Sequence, residues 1–329
     1  MKITLSECSF NDKKIAAEWN GIYRSNPQLG YFASYEFNEF FVRCFHKNKS
    51  RRSMKLVIIR AFDEQRGALM FLPLAKSHGH YYMIWERSSV PYCDAIYRAD
   101  ISKDEFDYIL DHLSEIVGNE TIFFTKMNEL SVFTQYLHDR FTPYKKRSCG
   151  SIELLRSYNY TYQLLSKECR ENIEDSKEKI INEGLVYRTD FYSDKPLSAK
   201  AAADIEMIVH GEGAGVFTRI KNSASNRNSA IFQAVKKGVS SLVALSYIDD
   251  YPVACTYGFI KGNTFTISVL SSTRYGVSYS SKHLILCDLI KYAVENKNLS
   301  KIDLCRLDDN IKGDFVSKKH HVYGFEVKL

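Results

Sequence analysis

The chain has few of the residues that punctuate or staple a fold, with 6 prolines and 16 glycines in 329 residues. That excludes collagen-like, low-complexity and disordered architectures. Its 8 cysteines stand at 8, 44, 93, 149, 169, 255, 287 and 305, and no two form a C-x-x-C pair. Neither a disulfide framework nor a four-cysteine zinc site is encoded, and this cysteine usage fits a reducing compartment. Long apolar runs are absent too. The longest, near Leu284 to Val294, is interrupted by Asp288 and Lys291, so no transmembrane helix is expected. The N-terminal residues reach a polar stretch at Asn11 to Lys14 before a secretory apolar core can form, which favours a cytoplasmic location.

No serine has the G-x-S-x-G flanks of a nucleophile elbow, so hydrolase chemistry lacks support. His78-Gly-His80 and His320-His321 lack a nearby cysteine or carboxylate cluster with zinc spacing. They are expected to be surface histidines, and no metal is expected. Charge of one sign is also not concentrated. There are 45 Lys and Arg against 39 Asp and Glu, and division at Gly150 gives 21 against 18 and 24 against 21, so each half carries +3. An even, mild excess suits anionic small partners better than a nucleic-acid face.

The hydrophobic share of 45% over this length is enough for two packed domains. An internal repeat supplies the division. Leu56 to Phe71 lies over Leu242 to Tyr257, a shift of 242 − 56 = 186 residues, and each copy runs through an acidic turn, Asp63-Glu64 or Asp249-Asp250. Apolar runs meeting at such a turn predict a β-hairpin. A third strand follows, Tyr81 to Trp85 or Thr264 to Leu270, then a loop with a Ser-Ser pair and a helix. In the first copy Ser102-x-x-Glu105 is a capping box and Gly118 the stop. In the second, Leu284, Ile285, Leu289, Ile290 and Ala293 mark the helix. A strand closes each pattern at Thr121 to Thr125 and Lys301 to Leu304, so each half reads β-β-β-loop-α-β. Phe141 to Gly150 marks the approach to the boundary between a domain at 1–150 and one at 151–329. Ser166 is expected to cap a charged helix ending near Gly184, with Cys169, Ile173 and Ile180 as its apolar stripe. A further helix is expected from Leu197 to His210.

Gly211 to Gly215 follows that helix rather than a strand, so it predicts a hinge or helix stop and not a dinucleotide loop. Arg43, Lys47, Lys49, Arg51, Arg52 and Lys55 form a basic stretch without an acidic residue. It predicts a solvated loop, with phosphate, an anionic membrane surface or RNA as its functional alternatives. Thr273 to Lys282 leaves a strand and opens a helix, where unsatisfied N–H groups suit a pyrophosphate. Arg274, Ser278, Ser280, Ser281 and Lys282 bring donors and charge, and Gly276 permits close backbone approach. Pro91 in the first copy removes one N–H and stiffens the corresponding loop, which favours the second copy as the phosphate-binding one.

Several of these segments resemble a known family, the tandem GNAT-fold proteins that include FemAB-type peptidoglycan transferases and acetyltransferase-like proteins linked to cellulose and other polysaccharide synthesis. The resemblance rests on Ser166-Lys-x-x-Arg170 with Glu183-Gly184, on Leu242 to Ala254, and on Tyr275 to Leu286. It rests as well on Ile302-Asp-Leu304 followed by Asp308-Asp-Asn-Ile-Lys312 and Phe315, with Leu72-Pro-Leu74 and Tyr92-Cys-Asp94 as weaker N-terminal marks. Detail is good over residues 160–316. The sequence departs from the family's donor-loop spacing, of which Arg274 and Gly276 are the only approximations, and Ile311 replaces its tyrosine.

The resemblance implies a mixed α/β fold of two tandem GNAT-like domains, each a mostly antiparallel sheet flanked by helices. It further implies an N-acyltransferase taking an acyl group from acyl-CoA, such as acetyl-CoA, to an amine or hydroxyl of a cell-envelope sugar or sugar-lipid precursor. The donor would lie on the second domain. Direct transfer needs a base for the nucleophile's proton and donors for the oxyanion. Asp308 and Asp94 are candidate bases by matched position, with His210 a chemically suitable third. Tyr275 or Tyr279 is a candidate acid, and Lys312 a candidate substrate phosphate ligand. One alternative is an aminoacyl-tRNA donor in the FemAB manner; another is a non-catalytic module that binds a nucleotide-sugar or a protein. Peripheral membrane contact through basic residues is a further expectation.

Overall fold

A computed structural model describes residues 2–10, 12–47, 55–85, 90–210, 229–307 and 310–329. Its strands are β1 (Ile3–Cys8), β2 (Lys55–Asp63), β3 (Gly67–Ser77), β4 (His80–Met83), β5 (Ile96–Tyr97), β6 (Thr121–Asn128), β7 (Lys145–Glu153), β8 (Tyr187–Ser193), β9 (Ser241–Ile248), β10 (Tyr251–Lys261), β11 (Thr264–Ser272), β12 (Lys301–Arg306) and β13 (Lys318–Lys328). The chain divides into two compact units, one of Met1–Ser148 with His320–Leu329 and one of Cys149–Lys319. The last ten residues, which a division at Gly150 leaves with the second half, pack with the first unit.

Both units repeat one plan. In the first, the order β1-β2-β3-β4-β6-β13 is antiparallel except for the parallel neighbours β4 and β6. In the second, the order β8-β9-β10-β11-β12 is completed by residues 149–153 of β7, and β11 and β12 are the parallel pair. The closing strand of the first sheet comes from beyond the second unit's sequence, whereas that of the second comes from the junction between the two. The fold is therefore the mixed α/β arrangement expected, with the internal repeat visible as β2-β3-β4-β6 against β9-β10-β11-β12.

The repeated hairpins form for local reasons. Asp63 accepts from the amides of Gln65 and Arg66, both at 2.9 Å, and Gly67 at φ +80° completes the first turn. In the second turn Asp249 takes φ +52° and its side chain accepts from Val186 N at 3.0 Å. The Ser102 capping box is present in both directions, although the helix it starts, Lys103–Asp111, is separated by two residues from a short Ser114–Val117 helix before Gly118. Ser166 caps the Lys167–Asn182 helix, which buries Cys169, Ile173, Ser176 and Ile180 and leaves its charges to solvent.

Trp19 anchors the first unit's core, wholly buried and stacked 5.2 Å from Phe71, with its indole N–H donating to Ala33 O at 2.8 Å. The second core runs from Cys169 and Ile173 through Leu242, Phe265, Leu286 and Ile302 to Phe315. His320 and His321 are not the surface residues that their sequence suggests. His320 is 2% exposed with Nε2 2.9 Å from the Tyr92 hydroxyl, and His321 Nδ1 lies 2.8 Å from Glu129 Oε2, because alternation in β13 turns His320 inward.

Deleting residues 320–329 should therefore cost the first unit, not the second. Amides of β6 from Ile122 to Met127 should lose hydrogen-exchange protection while those of β9 and β10 keep theirs; a uniform loss would contradict this assignment.

Candidate functional site

The two parallel strands of the second unit pair over only three positions, Thr264–Lys301, Phe265–Ile302 and Thr266–Asp303. Among the described residues no further backbone pair joins them, so beyond Thr266 they part as a wedge. Two irregularities drive them apart. Tyr257 faces Val269 whereas Gly258 faces Ile267, which leaves Ser268 as an extra residue in β11. Gly258 makes this possible, since a Cβ there would stand 1.9 Å from Thr266 O. On the other side Asp303 faces Ser151 and Cys305 faces Gly150, leaving Leu304 extra, and Cys305 sits at φ +59°. A bulge leaves its extra residue outside the ladder, and Ser268 Oγ is buried without a partner. The Cys305 thiol spans the wedge to Ile267 O at 3.0 Å.

Beyond the wedge, β11 leads into a one-turn helix, Arg274–Val277, and then the Ser281–Lys297 helix. Thr273 caps the turn by accepting from Gly276 N at 3.0 Å. Val253 O receives Thr273 N at 2.9 Å, and a Cβ at Gly276 would lie 2.4 Å from that carbonyl. Gly276 is thus needed for packing against β10. Ser281 is fully buried, with Oγ 3.5 Å from the same oxygen, whereas Arg274, Tyr275 and Ser278 are exposed and Ser280 takes φ +46°. The amides of residues 276–280 bond within the loop and are spent. The six loop residues assigned to a donor are close together, but they divide into an inward and an outward set.

Tyr279 directs its hydroxyl to Glu183, which holds the phenol above its ordinary range. Tyr275 stays exposed, edge-on to Tyr251 and Tyr279. Lys312 Nζ donates to Leu304 O at 2.8 Å, steadying the irregular end of β12. Asp308 lies outside the described residues, as do Gly211–Gly215 and residues 48–54 of the basic stretch. His210 ends the Ala199–His210 helix, but its side chain is outside the description. At the ends of the basic stretch, Arg43 pairs with Glu39 and Lys55 with Glu7.

The structure adds a residue that no sequence motif singles out. His283, in the first turn of the Ser281–Lys297 helix, is 7% exposed, and its Nε2 lies 3.0 Å from Asp314 Oδ2. Its Nδ1 is buried without a partner. With the proton on Nε2 donated to Asp314, Nδ1 carries a lone pair, the arrangement of an oriented base. Thirty-one residues separate the two, and no motif spacing marks such a pair. Among the described residues no group of three or more metal-ligating side chains occurs.

The first unit has the same diverging pair, β4 and β6, matched only at His80–Thr121 to Tyr82–Phe123. Here the chain fills its own gap. Cys93 bridges Met127, Cys93 N donates to Lys126 O at 3.0 Å, β5 pairs with β3, and Lys126 Nζ donates to Val90 O at 3.1 Å. Asp94 sits in this filling segment with Oδ1 buried and unpaired. Burial raises its pKa to about 7, against the opposing hydrogen bonds from Ser131 and Ala95 N.

Because the folded pKa of Asp94 exceeds its unfolded value, folding takes up a proton between roughly pH 4 and 7. Stability from this group is full below that window and is lost as pH rises through it. Asp94→Asn should therefore stabilise the protein at pH 8 and have little effect at pH 4, as read by urea unfolding at both values. An equal effect at the two would contradict the buried-carboxyl assignment. At the wedge, Gly258→Ala should lower stability by roughly 1–3 kcal/mol, since the Thr266 carbonyl must move; an unchanged urea midpoint would show that the bulge does not require the close approach.

No family model matches the chain, and no curated protein matches it. Solved structures do. FemX aligns with a TM-score of 0.62 at 9% identity, over 99% of this chain and 97% of its own. The C-terminal domain of a putative lysylphosphatidylglycerol synthetase from Agrobacterium fabrum gives 0.58 at 10% identity, over 98% and 93%. A tandem GNAT protein from the clavulanic acid biosynthesis pathway gives 0.53 at 8%, over 99% and 98%. With two units of one strand plan, each opening at a parallel pair, this chain has the fold of the tandem GNAT proteins.

Proposed function

We propose that this chain is an acyl-group transferase whose second unit receives the donor. The observation that carries this reading is the wedge between β11 and β12, where backbone pairing ends at Thr266–Asp303 and the Cys305 thiol crosses to Ile267 O, whereas Cys93 to Tyr97 fills the corresponding gap in the first unit. A thioester entering it would lay its carbonyl along the bulge at Ser268, where backbone freed from the ladder can face the developing oxyanion. The acceptor amine attacks the carbonyl carbon, the N–C bond forms and the C–S bond breaks. The amine's proton passes to a base and the thiolate takes up a proton from solvent or an acid. His283, oriented by Asp314, is our candidate base, alongside Asp308. Arg274 and Lys282 are charges for the donor's phosphates. The finer reading is acetyl-CoA as donor and an amino group of a cell-envelope sugar or sugar-lipid as acceptor, in the cytoplasm. It draws its support from the resemblance of residues 160–316 and from the GNAT-like fold.

A second reading keeps the fold but replaces coenzyme A by aminoacyl-tRNA. One structural feature favours it: the amides of residues 276–280 are bonded inside the loop and do not cradle a pyrophosphate. The similarity to FemX and to the lysylphosphatidylglycerol synthetase domain is consistent with it.

Thermal unfolding with acetyl-CoA, free CoA and ATP separates the readings. A ligand at a hundred times its dissociation constant adds about 2.7 kcal/mol. Under the acetyl-CoA reading both CoA species raise the melting temperature, ATP does not, and Arg274→Ala with Lys282→Ala abolishes the shift. Absence of a shift together with steeply salt-dependent binding of aminoacyl-tRNA selects the second reading. Failure of both overturns the transferase and leaves a binding module.

A further inference from the structure

One cavity of the second unit lies apart from the wedge. It has a volume of about 370 Å³ between β8 and the face of the Ser281–Lys297 helix that carries Asp288, Lys291, Tyr292 and Glu295, small but within the range of small-molecule sites. Asp288 stands seven residues along that helix from Ser281, about 10 Å from the donor loop at a rise of 1.5 Å per residue.

The inner end of the cavity is a closed set of hydroxyls around one carboxylate. Thr189 Oγ1 donates to Asp288 Oδ2 at 2.6 Å and the Tyr187 hydroxyl donates to the same oxygen at 2.9 Å. Ser246 Oγ, fully buried, lies 2.8 Å from Thr189 Oγ1 and 3.1 Å from the Tyr187 oxygen. Each hydroxyl has a single proton. Tyr187 and Thr189 spend theirs on the carboxylate, and Ser246 has only their oxygens to donate to. What remains toward the cavity is acceptor capacity: Asp288 Oδ1, which has no hydrogen-bond partner among the described residues, and lone pairs on Thr189 and Tyr187. Desolvation holds Asp288 above the ordinary carboxylate range despite those two hydrogen bonds and the charges of Lys177 and Lys291.

The walls agree with the floor. Phe191 and Tyr292 stack in parallel, 4.1 Å apart, and present ring surface to the cavity. Glu295 adds a second carboxylate two turns from Asp288. Of the two basic lining residues, Arg188 is engaged, over the Tyr247 ring at 4.1 Å and donating to Asp249 O at 2.9 Å. Lys291 forms no ion pair within 4 Å among the described residues and stands exposed at the rim. A half-buried acceptor cluster beside aromatic faces suits a ligand that brings its own donors and a positive charge.

We propose that this cavity is a binding site for the primary ammonium group of a small amphipathic molecule, with Asp288 as its counter-ion and Tyr292 as its aromatic wall. The site does not depend on the transferase reading. The ammonium could be carried by an amino sugar or an alkyl amine. Titration calorimetry of the full chain with glucosamine, 1,5-diaminopentane and glucose, the last as the neutral control, decides it. Binding of either amine, weakened at least about tenfold in Asp288→Asn, supports the site and names the source. Lys291→Met removes the competing cation at the rim and should tighten binding a few-fold, a test that stands even where Asp288→Asn fails to fold. No heat from either amine up to about 10 mM, equal binding of glucose and glucosamine, or unchanged affinity in both variants would overturn it.

Discussion

The candidate site depends on two parallel neighbours being held together at one end and forced apart at the other. Three residue pairs tie β11 to β12. Immediately afterwards Ser268 is squeezed out of one strand and Leu304 out of the other. A parallel ladder has no reason to stop where both strands continue, so the stop must be imposed. It is imposed by the missing side chain at Gly258, which lets β11 approach β10 too closely for a regular register, and by the left-handed backbone at Cys305. Lys312 then satisfies the Leu304 carbonyl, which the irregular strand leaves without a ladder partner on that side. The wedge is thus built from backbone geometry, and its side chains are secondary to it.

The repeat makes the contrast instructive. Both units carry the same diverging pair, but in the first the segment from Val90 to Tyr97 is drawn in, bridged to Met127 and tied down by Lys126. Filling the gap exacts a cost in buried polarity, visible in the unpaired Asp94 oxygen and its raised pKa. In the second unit the unpaired buried side-chain atoms among the described residues are on Ser268, at the bulge of β11, and on His283. In one copy the gap is packed by the chain itself, and in the other the backbone pairing simply ends.

Much of the fold was legible because it is local. Acidic turns between apolar runs gave both hairpins, the Ser102 capping box gave a helix start, and Ser166 with Cys169, Ile173 and Ile180 gave a helix with its buried stripe. β7 was hidden because its first four residues, Lys145 to Ser148, are all exposed and read as a polar boundary. β13 was hidden by its paired histidines, of which only His320 is buried, in a strand whose partner β6 lies nearly two hundred residues away. The loop from Thr273 to Lys282 was legible as a strand-to-helix connection, yet the inward turn of Gly276 and Ser281 follows from Val253 O, which no local pattern announces. His283 with Asp314 is a product of tertiary packing alone.

Hydrogen exchange across both wedges, with and without a saturating donor, tests the central claim most directly. The account predicts that donor binding protects amides of β11 from Ile267 to Ser272 and of the loop from Thr273 to Lys282, while Cys93 to Tyr97 and Lys126 to Asn128 keep their rates. Protection confined to the first unit, or binding that leaves residues 267–282 unchanged, would contradict it.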